Sequence, residues 1–134
     1  MHPILRNTLV LVGGIIAGSA VNMGVISISD SIIPPPEGAD VTTIDGLVAA
    51  MHLFEPKHFL MPFLAHALGT LVGAFLVARL SAGHHLKLAI GIGIFFFVGG
   101  CINVYLLPSP LWFNIVDLTL AYFPMAFLGW KIAR

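Results

Sequence analysis

Long apolar runs separated by short polar breaks organise this chain. A helix needs about 20 mostly apolar residues to cross a hydrocarbon core near 30 Å thick. Four stretches meet that requirement: about Thr8 to Ile28, His58 to Leu80, Leu86 to Leu107 and Leu111 to Ile132. Each is predicted to be a helix, because a segment in lipid must satisfy its own backbone groups. The connections Ser81 to His85 and Pro108-Ser109-Pro110 are short, so the last three spans should be antiparallel neighbours. Arg6, the apolar run from Thr8 and the small residues Gly18-Ser19-Ala20 resemble a signal peptide. Apolar character continues through Val21 to Ile28, however, and the segment reads as a retained span.

The one substantial polar stretch, about Ser29 to Lys57, contains the rigid run Pro34-Pro35-Pro36. Beyond it, Ile44, Leu47, Val48, Met51 and Phe54 recur at helical spacing. Thr42 or Thr43 could cap this short helix, Asp45 suits the positive end of its dipole, and Pro56 ends it. The predicted fold class is all-α: an integral membrane four-helix bundle, one transmembrane domain over 1–134, with a short amphipathic helix in the first extracytoplasmic loop.

Composition agrees. Hydrophobic residues make up 58% and charged residues 9%, too few charges to coat a water-facing surface, which usually carries about 25%. Lipid bilayer is therefore the expected surrounding. A formal net charge of zero supplies no field for nucleic acid. The single cysteine, Cys101, lies in an apolar run, reads as a small hydrophobe and carries no redox message.

Charge placement sets the expected orientation. Arg6, Arg79, Lys87, Lys131 and Arg134 fall on one side of a four-span topology, with Lys57 alone opposite. Asp30, Glu37, Asp40, Asp45 and Glu55 share the long loop. The enrichment of cytoplasmic loops in Lys and Arg predicts both termini inside and the acidic loop outside. Trp112 and Trp130, near opposite ends of the last span, suit the two interfaces.

Polar residues inside hydrocarbon are costly and mark candidate sites. Counted at 1.5 Å per residue from the outer end, Asn22 lies roughly 9 Å deep, His66 about 12 Å, Asn103 roughly 6 Å and Asp117 about 9 Å. One polar side chain per span thus falls in a shared outer layer, with Thr70 a turn deeper and Asn114 a turn shallower. Asp117 should pair with His66, whose imidazole can donate a hydrogen bond or a charge, while the asparagines complete a network. Such a layer suits a ligand, ion or proton site; the same residues could equally fix helix register. His52, Glu55 and His58, spaced by three, form a weaker candidate for a transition-metal site, since Pro56 interrupts the helix their spacing would need. His84 and His85 belong with headgroups.

Gly14 and Gly18, like Gly69 and Gly73, form G-x-x-x-G pairs, expected to pack helices within the bundle. Gly91, Gly93, Gly99 and Gly100 thin the third span, and Pro62 and Pro124 are expected to kink theirs. Four spans enclose little volume, so a pore would need a homo-oligomer. H-E-x-x-H, G-x-S-x-G, P-loop and dinucleotide motifs are all missing.

The run His58-Phe59-Leu60-Met61-Pro62-Phe63-Leu64-Ala65-His66-Ala67-Leu68-Gly69-Thr70-Leu71-Val72-Gly73-Ala74, together with Trp112-Phe113-Asn114-Ile115-Val116-Asp117-Leu118, resembles a family of small multi-pass bacterial proteins without assigned function. That resemblance implies a bacterial plasma (inner) membrane setting and no mechanism. The expected function is binding or passage of a small solute or ion at the outward polar layer, with no cofactor. A metal-dependent membrane enzyme and a non-catalytic accessory subunit are the alternatives.

Overall fold

A computed structural model describes all 134 residues, and every long element is helical. In chain order these are α1 (Pro3–Ile32), α2 (Ile44–Ala50), α3 (Leu60–Leu80), α4 (His85–Leu106), α5 (Leu111–Leu120) and α6 (Phe123–Ala133). Two short 3-10 turns, Met51–Leu53 and Pro56–Phe59, follow α2 and lead into α3. Four helical stretches are long and apolar enough to cross a membrane: Pro3–Ile32, Pro56–Leu80, His85–Leu106 and Leu111–Ala133. Buried residues number 26 of 134, and large side chains such as Ile4 and Ile16 are 72% and 64% exposed. A bundle this apolar outside is embedded in a membrane.

α1 is longer than its apolar run. Its 30 residues span about 45 Å, because hydrogen bonding continues where hydropathy stops. At its start, Pro3 occupies the first turn and His2 Nδ1 accepts the Ile4 amide at 3.3 Å. At its end, the hydroxyls of Ser27 and Ser29 return to the carbonyls of Met23 and Ile26, each at 2.7 Å. α2 forms as its pattern predicts, with Thr43 Oγ1 accepting the Gly46 amide at 3.0 Å.

Small residues decide the packing. α3 sits at the centre, burying Ala65, Ala67, Gly69, Thr70, Gly73 and Ala74. The two glycine pairs interlock: a Cβ on Gly18 would stand 2.6 Å from the Gly69 carbonyl oxygen, and one on Gly73 would stand 2.8 Å from that of Gly14. Such approach allows backbone-to-backbone contact along α1 and α3. Gly129 brings α6 against α3, where a Cβ would lie 2.7 Å from the Leu71 oxygen; Gly93 brings α4 against Ala126 of α6. Gly99 meets nothing and faces outward, as does Cys101. Near the chain termini Arg6 Nε donates to the Leu80 carbonyl at 2.8 Å, and Asn7 Oδ1 accepts the Ala82 amide at 2.7 Å. These bonds tie the start of α1 to the α3–α4 turn, and define a termini end opposite the long-loop end.

The two proline expectations resolve differently. Pro62 lies in the first turn of α3 and does not interrupt it, since an amide there has no helical acceptor to lose. Pro124 goes further than a kink. The fourth span breaks between α5 and α6, with Tyr122 at φ −116°, ψ −75°. The amides of Tyr122, Phe123 and Met125 have no backbone acceptor, and Pro124 has no amide. The carbonyls of Leu118, Thr119, Leu120 and Ala121 thereby lose their helical donors.

Candidate functional site

The centre of the site is built from a helix and a break. His66 projects from the second turn of α3, and Asp117 from the second turn of α5, just before the fourth span opens. His66 Nδ1 lies 2.8 Å from Asp117 Oδ1. Tyr122, inside the break, donates its hydroxyl to Asp117 Oδ2 at 2.9 Å. The tyrosine ring stacks on the imidazole at 5.9 Å between centroids and 26° between planes. Gly100 of α4 makes room for it, since a Cβ there would stand 2.5 Å from the phenolic oxygen. Asp117 is 3% exposed and Tyr122 2% exposed, so both oxygens of the carboxyl group are bonded within the protein.

This arrangement orders the imidazole. A carboxylate can only accept, so Nδ1 carries the hydrogen and Nε2 presents its lone pair. Nε2 has no protein partner, yet no sealed side-chain nitrogen or oxygen in the molecule lacks one. Nε2 therefore opens onto space.

That space is a cavity of about 730 Å³ running from the long loop down to His66 and Asp117. Asn22 of α1 and Asn103 of α4 flank it, and Asn22 forms no side-chain hydrogen bond within the protein. Val41, Ile44 and Leu47 from the loop and α2 roof it. The roof rests on aromatic packing: Phe59 lies 4.7 Å from Phe113 and 5.6 Å from both Phe54 and Trp112. Ahead of α2, Asp40 Oδ1 accepts from the hydroxyl and amide of Thr42 at 2.6 and 3.0 Å, and these bonds hold its carboxyl below the usual 3.8.

Four of the six residues expected in the polar layer line this cavity: Asn22, His66, Asn103 and Asp117. The other two serve elsewhere. Thr70 is fully buried and turns its hydroxyl back to the His66 carbonyl at 2.9 Å, steadying the helix that carries the imidazole. Asn114 closes the turn before α5, accepting from Ser109 Oγ at 2.9 Å. Depth along a span was legible, but the direction each side chain faces around its helix was not. Tyr122 escaped sequence reasoning, and Gly100 was legible only as a residue that thins its helix. A tyrosine hydroxyl within an apolar span, five residues beyond its aspartate, was the available signal.

His52, Glu55 and His58 do not gather, and no three His, Cys, Asp or Glu side chains come close enough to hold a metal. Glu55 and His58 instead form a capping box, the Glu55 amide donating to His58 Nδ1 at 2.8 Å, while Lys57 pairs with Glu55 at 3.5 Å. Pro56 enforces the turn that redirects them.

No protein-family model matches this chain, and neither a curated protein nor a solved structure matches it significantly. The class is that of a membrane-embedded helical bundle, and the chemistry of the site stands on its own geometry.

Proposed function

We propose that this protein binds or passes a small solute or ion at the outward-facing polar layer, in the cavity beneath the long loop. The observation that carries the reading is an open Nε2 on an imidazole whose other nitrogen is held by buried Asp117, at the bottom of a 730 Å³ cavity. Asp117 fixes the tautomer, Tyr122 anchors Asp117, and Nε2 accepts a hydrogen bond or a proton from whatever occupies the space. Proton uptake there yields an imidazolium–carboxylate pair that is neutral as a unit. Occupancy and protonation are thereby linked. The distribution of Lys and Arg supports a topology with both termini cytoplasmic and this cavity facing outward, and the resemblance of the His58–Ala74 run to small bacterial multi-pass proteins supports a bacterial plasma membrane.

A rival reading, an accessory subunit whose polar residues merely lock the bundle, draws on the complete pairing of Asp117 without any ligand. Thermal stabilisation of the purified protein in lipid nanodiscs by a panel of alkali cations, amines, alcohols and sugars separates the two. Binding predicts at least one stabilising solute whose effect disappears in Asp117→Asn and His66→Gln. If no solute stabilises the wild type and Asp117→Asn simply melts earlier, the lock is the correct function.

A further inference from the structure

The cavity also carries information about what fits it. Its lining includes two carboxyl groups, Asp30 near the loop and Asp117 at the base, and contains no Lys or Arg. An anionic guest would face two carboxyl groups with no partner of fixed positive charge, the only basic side chains being His58 and His66. Most of the remaining wall is apolar, and it includes Met23, Met51 and Met61 beside Phe54, Phe59 and Phe113. Thioethers adapt to irregular apolar shapes, and aromatic faces attract cations.

The wall formed by α1 and α4 carries exposed residues. α1 and α4 meet at Gly18, where a Cβ would stand 2.9 Å from the Phe96 ring. One turn nearer the loop, both helices border the cavity. Met23 of α1 lines the cavity yet is 63% exposed, and Asn103 of α4 likewise lines it while being exposed. Exposed residues that line the cavity at the depth of a span favour a route in from the bilayer between these two helices.

We infer that the guest is an amphiphilic organic cation, a protonated or quaternary amine with an apolar tail, which slips in from the bilayer between α1 and α4 and sets its positive head beside Asp117. The inference rests on the cavity being a binding site, as proposed above, and names its ligand class. Each Asp117 oxygen has accepted one hydrogen bond and keeps a second lone pair directed elsewhere. The apolar tail lies along the methionine and phenylalanine wall. A cation at Asp117 and a proton on the adjacent His66 imidazole would repel each other. The other titratable groups about the cavity are Tyr122, His58 and Asp30, and the head meets no basic side chain other than the two histidines.

Radiolabelled dodecyltrimethylammonium, bound to the full chain in phosphatidylcholine nanodiscs, provides the test. Expected are saturable binding, little displacement by dodecyl sulfate or dodecyl maltoside, and affinity rising along the alkyl series by up to about fourfold per buried methylene. Asp117→Asn should weaken binding about tenfold or more. Asn22→Lys, at a position with no partner to lose, should do the same without disturbing the His66–Asp117 pair. Equal displacement by the neutral maltoside, or unchanged binding in both variants, overturns the inference. If the ammonium fails to bind while another solute stabilises the protein through Asp117, the ligand class is wrong and the binding function stands. If nothing binds and Asp117→Asn only lowers Tm, both fall.

Discussion

The two halves of this bundle are made by the same helices and packed by opposite means. At the termini end Ala74, Val77, Ala78, Ala89, Ile92 and Ala126 form a dry core, and the glycine pairs press α1 against α3. At the loop end the same helices carry Asn22, His66, Asn103 and Asp117, and they enclose about 730 Å³. The charges divide the same way. Arg79, His85 and Arg134 line a smaller cavity of about 410 Å³ at the termini end, whereas the loop-end cavity has Asp30 and Asp117. Side-chain size accounts for the closed end: hydrogen-sized side chains at Gly14, Gly18, Gly69 and Gly73 close the interface, while at the loop end Asn22 and Asn103 line the cavity. One half is a clamp, and the other is the space it supports.

Enlarging a residue in the clamp should do the most harm. Gly73→Leu would drive a side chain into the Gly14 carbonyl and Ile92, where overpacking costs about 3 kcal/mol or more. Size-exclusion profiles and thermal unfolding should show loss of the monodisperse folded protein. The next effect falls in the polar half. Asp117→Asn removes one acceptor, so it keeps both partners only if His66 gives up its Nδ1 hydrogen for the opposite tautomer, at a cost of about 1–3 kcal/mol in unfolding experiments. Tyr122→Phe removes one hydrogen bond and keeps the ring that rests on Gly100 and His66, so it should cost about 1–1.5 kcal/mol.

Enlarging a residue beside the space should be nearly silent. Asn22→Leu meets open volume and loses no partner, so its stability should change by about 0.5 kcal/mol or less. A large destabilisation there would break the contrast between the halves. The smallest effect lies in the exposed loop. Asp40 is held below 3.8 by Thr42, so its contribution to loop order is present above that pH and is lost as pH falls through its lowered folded value. The Thr42 amide resonance, followed by NMR in acid, should report that release while the helices stay intact.

Much of this was legible from the chain alone. Hydropathy located four spans because lipid imposes one solvent requirement on every residue of a crossing helix. Thr43 announced the start of α2, since a hydroxyl at that position satisfies a free amide locally. The partnership of His66 with Asp117 followed from depth, because a buried carboxyl group must find a donor at its own level.

Tertiary structure decided the rest. Rotation about each helix axis turned Asn22 and Asn103 toward the cavity and left Thr70 and Asn114 to local bonds. On either side of the break at Tyr122, α5 presents Asp117 to His66 and α6 meets α3 at Gly129. One straight helix beginning at Leu111 is not what Pro124 permits. Sequence fixes where a polar group lies along its own helix through local hydrogen bonding and hydropathy. Which groups meet depends on the angle and spacing of neighbouring helices, and those are set by contacts between residues far apart in the chain.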